Sequence, residues 1–153
     1  RSIGLKEDYF KPGRDKQYKE IPKKIIADEY LDDGTGTELR DYKWWCFDGK
    51  PMYLYYTNKG EHGYENFFDM DYHPVGINHG FPRLKPEMEK PKEFELMREL
   101  ATKLSRGIPF VRIDFFDVNH HVYFAEYTFF DWGGFQPFAD NWDLEFNLQC
   151  GVI

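Results

Sequence analysis

Asp114 and Glu126 each interrupt an apolar run near the end of the chain. The first run, Phe110–Phe116, reads FVRIDFF, and the second, Val122–Phe129, reads VYFAEYTF. Successive side chains of a strand point to opposite faces, so Arg112 and Asp114 share one face of the first strand while Val111, Ile113 and Phe115 take the other. In the second strand, strict alternation places Val122, Phe124, Glu126 and Thr128 together. The connection Asp117–His121 is short and turn-like, which predicts a hairpin. If the pairing register sums to an even number, the two carboxylates converge; an odd sum sends them to opposite faces. Converging carboxylates repel unless a cation lies between them. A hard cation such as magnesium takes oxygen ligands of this kind. The plain alternative is an acid pair at a sheet edge, solvated or salt-bridged to Arg112.

The elements that must position this pair can be read upstream. Residues 1–20 are polar, with Tyr9, Phe10 and Tyr18 as anchors, and form a lead-in segment. Ile21–Leu31 contains the apolar run Ile25-Ile26-Ala27 and predicts a strand ending in the polar Asp28 and Glu29. Asp32–Thr37 (DDGTGT) predicts a flexible loop. Arg40–Phe47 is crowded with aromatics and predicts a strand, Asp48-Gly49 a tight turn, and Pro51–Thr57 the returning strand. Residues 58–91, rich in Gly, Pro, Asn and His, show no period and predict a long loop. Pro91 opens the one clear helix, about 92–106, with Phe94, Met97, Ala101 and Leu104 on one face and Gly107 ending it. Glu93 and Glu95 near its start and Lys103 and Arg106 near its end suit the helix dipole. Gly133-Gly134 breaks the chain after the paired strands, and residues 135–153 are an irregular tail. The fold class expected is α+β, a mostly antiparallel sheet with one helix.

Composition narrows the partners. With 153 residues, 41% hydrophobic and 20% aromatic, the chain can bury a core. A net charge of −7 speaks against a nucleic-acid surface, which needs clustered Lys and Arg. Cys46 and Cys150 are far apart and form no metal or redox spacing, which fits a reducing, cytoplasmic setting. No apolar run approaches the roughly 20 residues of a membrane span. His62, His73, His79, His120 and His121 fall mainly in loops without the spacing of a zinc site.

Four segments, taken in order, resemble the ATP-grasp superfamily and within it the TupA-like branch, found in bacterial polysaccharide, capsule and teichuronopeptide gene contexts. They are Lys23–Leu31 (KKIIADEYL), Asp41–Gly49 (DYKWWCFDG), Phe110–Asp114 (FVRID) and Tyr123–Thr128 (YFAEYT). The likeness runs from about Tyr9 to Trp142. It implies an ADP-forming ligase that uses ATP and magnesium to activate a carboxylate as an acyl phosphate and pass it to an amine. Carried over residue by residue, Asp28, Glu29, Tyr30 and Leu31 resemble the hinge that binds adenine, and Asp41 the acid near the ribose. Lys43 resembles the basic group facing the phosphates and Arg112 the arginine beside the transferred phosphate. Asp114 and Glu126 resemble the magnesium ligands. Thr128 stands where many ATP-grasp enzymes carry an asparagine, as in the TupA-like pattern. The lysine-bearing strands and glycine-rich loop that grip the triphosphate precede the hinge in this family and do not occur in these residues. The resemblance therefore implies that 21–153 is a C-terminal catalytic subdomain. Its partners would be a nucleotide, an acidic glycan or amino-acid substrate, and the remainder of its parent chain.

Two rival functions share the same residues. One is a glycosyltransferase, which would use the acid pair for the metal of a nucleotide-sugar. The other is a catalytically inactive module that binds a glycan or nucleotide-sugar, with Trp44 and Trp132 stacking on the ligand. ATP with ADP release separates the ligase from both.

Overall fold

The computed structural model describes residues 20–22, 24–32, 34, 39–58, 64–79, 81–83 and 88–131. The expected lead-in anchors, most of the Asp32–Thr37 loop, His62, Trp132, Cys150 and the tail lie outside these residues.

Five strands form one antiparallel sheet: β1 (Asp41–Phe47), β2 (Lys50–Asn58), β3 (Tyr64–Phe68), β4 (Phe110–Val118) and β5 (His121–Thr128), in the order β3-β2-β1-β4-β5. Among the described residues one helix, α1 (Phe94–Leu104), packs on it, so the class is α+β as expected. The β1–β2 turn is the Asp48-Gly49 pair, with φ of 48° and 76°. Positive φ at both central residues is the geometry whose twist matches a two-residue hairpin. Asn119 and His120 repeat it between β4 and β5 at 53° and 66°.

Alternation along β1 and β4 gives the sheet two unlike faces. Tyr42, Trp44, Cys46, Val111, Ile113 and Phe115 face α1 and close a core with Leu54, Phe94, Met97 and Ala101. Trp44 stacks at a tilt on Phe94, with ring centroids 5.0 Å apart. The helix contributes the stripe its sequence spells, with Phe94, Met97 and Ala101 buried and Leu104 partly so. On the opposite face, toward β2 and β3, Trp45, Tyr53, Tyr55, Phe67 and Ile77 form a second apolar cluster.

Three expectations are corrected. Residues Ile21–Leu31 form no strand where they are described, and Ile25, Ile26 and Tyr30 are exposed. An apolar run becomes a strand only where another strand supplies ladder partners, and none of the described strands pairs with it. The region 58–91 is not all loop, because β3 lies within it and pairs with β2 from Leu54↔Phe68 to Asn58↔Tyr64. Its signal was hidden because Glu65 and Asn66 are polar yet buried, so alternation of polarity fails. Glu65 is satisfied there by His79, whose Nδ1 lies 2.9 Å from Oε1 and whose backbone N–H donates to Oε2. Finally, Val122 and Glu126 do not share a face. A bulge between Asp114 and Phe115 shifts the partner from Glu126 to Phe124, so Val122 packs toward the α1 core while Glu126 turns to the other side. The register sum is even on the Asp114 side of the bulge and odd beyond it.

Among the described residues, no helix is long and apolar enough to cross a membrane.

Candidate active site

Sheet register assembles the charged residues. Reading across the strands, Phe67, Tyr55, Lys43, Asp114 and Glu126 form one lateral row. The next row is Tyr53, Trp45, Arg112 and Thr128. Every member therefore projects from the face opposite α1. Asp114 and Glu126 are direct cross-strand partners, and the cation between them is Arg112.

Arg112 is the hub. Its Nε donates to Asp114 Oδ1 at 2.7 Å, and its Nη2 donates to Asp114 Oδ2 at 2.7 Å and to Glu126 Oε1 at 2.8 Å. Its Nη1 donates to Asp131 Oδ1 and, at 3.3 Å, to the Tyr55 hydroxyl. Burial works against the guanidinium charge, but the hydrogen bond to Asp114 and the neighbouring Tyr55, Asp131 and Asp114 more than offset it, so its pKa is raised above the ordinary arginine value. Arg112 is a fixed cation at any working pH.

Lys43 sits on the other side of Asp114. Its Nζ donates to Asp114 Oδ2 at 2.9 Å and pairs with Asp41 Oδ2. Asp114, with no exposed surface, thus receives hydrogen bonds from two cations. Such a charge is tolerable only because it is paired this fully. The second oxygen of Asp41, Oδ1, is buried without a partner among the described residues, an acceptor left to be satisfied.

An open cleft of about 910 Å³ borders this cluster. Asp28, Glu29, Tyr30, Leu31 and Asp32 line one side, and Asp41, Lys43, Phe116, Glu126 and the stretch Tyr123–Ala125 line the other. The structure thus gathers Asp28, Glu29, Tyr30, Leu31, Asp41, Lys43 and Glu126 around one space, with Arg112 and Asp114 beside it in the sheet. Thr128 lies one row further along, its hydroxyl 3.2 Å from Glu126 Oε1. Among the described residues the lining carries five acids, Asp28, Glu29, Asp32, Asp41 and Glu126, against one cation, Lys43.

Trp44 is fully buried between the sheet and α1, which removes it as a stacking platform for a ligand. Sequence reasoning missed three residues that structure the site. Asp131 Oδ2 accepts from Trp45 Nε1 at 2.9 Å and from the Tyr55 hydroxyl at 2.8 Å, while its Oδ1 pairs with Arg112. Strand parity could have placed Trp45 and Tyr55 on this face. Asp131 lies past the end of β5, where alternation gives no guidance.

Magnesium can be tested against these donors. Two carboxylates and a hydroxyl are the hard oxygens it takes, so the donor chemistry fits. Glu126, with 60% of its side chain exposed, is the carboxylate that can re-aim toward the cleft. Asp114 is committed to Arg112 and Lys43 in this arrangement, and the described residues hold no group of three or more His, Cys, Asp or Glu placed to bind a metal.

The family description TupA-like ATPgrasp matches residues 2–148, nearly the whole chain. The chain belongs to the TupA-like ATP-grasp family. No curated protein and no solved structure matches it significantly.

Proposed function

We propose that the protein is an ATP-dependent carboxylate–amine ligase that acts with magnesium, through an acyl phosphate, in bacterial cell-surface polysaccharide biosynthesis. The observation that carries this reading is the lateral row Lys43–Asp114–Glu126, with Arg112 beside it, facing a cleft whose far wall is Asp28–Asp32. Fixed cations and carboxylates preorganised at the rim of a nucleotide-sized space are what phosphoryl transfer requires, since positioning and electrostatics supply most of its catalysis.

In this reading the backbone of Asp28–Leu31 meets the nucleobase. Asp41 Oδ1 accepts from a ribose hydroxyl, which would satisfy its orphaned position. Lys43 Nζ faces the phosphates, held in place by Asp41 and Asp114. Arg112 exchanges its Nη2 bond to the exposed Glu126 for a bond to the transferred phosphoryl oxygens. Glu126, Asp114 and Thr128 would hold magnesium, which when bound neutralises phosphate charge. The acid-rich lining supports this division of labour. Among its described lining residues five carboxylates face one lysine, so a triphosphate would enter together with further cations, carried by the nucleotide or supplied by another part of the parent chain. Residues 21–153 serve as the C-terminal catalytic subdomain in this scheme.

The test is ADP release with mixtures of acidic glycans or amino acids and amines, run on the wild type and on Glu126→Gln. The swap keeps shape and removes one exposed charge, so stability should change by less than about 1 kcal/mol. Turnover should fall by about 10²-fold or more if the carboxylate serves the metal. Binding of a UDP-sugar without ATP-dependent ADP release would sink the ligase reading in favour of a transferase.

A further inference from the structure

We infer that Asp131 is the positioning residue that fixes the Arg112 guanidinium for phosphoryl chemistry, acting with Tyr55 and Trp45. The inference rests on the ligase reading for its catalytic half and on geometry alone for its anchoring half.

The donor count makes the case. A guanidinium has five N–H donors in a planar fork. All five are taken here. Nε and one Nη2 proton go side-on to Asp114, the other Nη2 proton to Glu126, and the two Nη1 protons to Asp131 and Tyr55. These acceptors differ in how firmly they are held. The Asp114 side chain is 1% exposed and that of Asp131 9%, whereas that of Glu126 is 60% exposed. An oxyanion arriving from the cleft can therefore displace only Glu126 without unpairing a buried charge. Asp114 on one edge and Asp131 on another then stop the guanidinium plane from turning as the Nη2 bond changes hands.

Asp131 is itself immobilised by rigid donors. Tyr55 donates to its Oδ2 and accepts from Arg112, closing a three-membered ring of hydrogen bonds. Trp45 donates to the same oxygen. Both aromatics are 1% exposed, and Tyr55 stacks on Phe67 with centroids 4.5 Å apart. The apolar cluster toward β3 thereby serves the charged site: it stiffens the two donors that aim Asp131. The carboxylate also raises the Tyr55 pKa, since burial and then the Asp131 charge both oppose the phenolate, so the hydroxyl stays a donor.

Asp131→Asn tests this on the whole protein, because its amide N–H₂ would confront donors while its volume is unchanged. NMR of the Arg112 side chain reads the anchor directly and needs no substrate. The two Nη1 protons should be distinct in the wild type and merge in Asp131→Asn, while the Nε signal held by Asp114 stays. Distinct Nη1 protons in the variant would overturn the anchoring role whatever the enzyme does. In the ADP-release assay, kcat should fall by about 10²-fold, the scale of a misplaced catalytic group, with KM for ATP within about threefold. Asp131→Glu should recover part of it. An unchanged kcat, or a loss confined to KM, would overturn the catalytic half. If the wild type releases no ADP with any substrate pair, the ligase reading fails, and the NMR result still decides the anchor. Should Asp131→Asn not fold, Tyr55→Phe takes its place: it removes one Nη1 acceptor and one Asp131 donor. Unaltered Nη1 exchange in that variant would count against the inference, and faster exchange would support it.

Discussion

The two faces of β1 and β4 are built from alternate residues of the same strands, yet they are stabilised in opposite ways. On one side Tyr42, Trp44, Cys46, Val111, Ile113 and Phe115 meet α1 through dispersion and the exclusion of water. On the other, Lys43, Arg112 and Asp114 are buried too, with the side chain of Asp131 nearly so, but they hold together through charged hydrogen bonds. An apolar face tolerates repacking, because contacts are non-directional and any shape of similar volume recovers most of them. A buried ionic face does not, because removal of one partner leaves the others charged and dry. The difference suggests that the apolar face exists for stability and the charged face for the site.

The largest effect expected from breaking this comparison is on the apolar side. Trp44→Ala removes a ring with no exposed surface, packed on Phe94, and should cost about 3–5 kcal/mol by urea denaturation. A loss below about 1 kcal/mol would mean that α1 is not seated as described. On the charged side, Asp114→Asn conserves shape but strands Arg112 and Lys43. We expect it to lower stability by about 3 kcal/mol in the same assay, besides removing turnover. Near-neutral stability would show that this face is not structurally committed and would dissolve the contrast. Glu126 provides the control, as its exposed carboxylate can be lost with little effect on folding.

A smaller effect sharpens the apolar side. Burial pushes the Cys46 thiol up to about 12, although a hydrogen bond with Ser105 pulls the other way. The neutral thiol is the form the fold favours, so its contribution is present in full below the unfolded value of 9.0 and is lost as pH rises toward 12. Native Cys46 should therefore resist alkylation at pH 8, while urea exposes it. Cys46→Ala should flatten the alkaline fall in stability between those two pH values. Rapid alkylation of the native protein at Cys46 would show that the α1 face opens locally.

Much of this was legible in the residues. Alternation assigned the faces of β4, the aromatic run marked β1 as a strand, the 3.6-residue stripe from Phe94 to Leu104 placed α1, and Asp48-Gly49 fixed the hairpin to β2, because each depends on local geometry alone. The same alternation put Arg112 beside Asp114. Local pattern could not decide what depended on partners elsewhere in the chain. β3 stayed hidden because buried Glu65 finds His79 fourteen residues on, a pairing no local polarity pattern records. The Ile25-Ile26 run looked like a strand, but a strand exists only where another offers its backbone. The bulge at Asp114, not the alternation of β5, decided that Glu126 faces Arg112 while Val122 faces the core. Asp131 joined the site from beyond β5, through Trp45 and Tyr55 on two other strands. Sequence by itself determined which residues could share a face. Only the tertiary structure decided which charges are buried together, because burial and pairing belong to the assembled sheet and to no single strand.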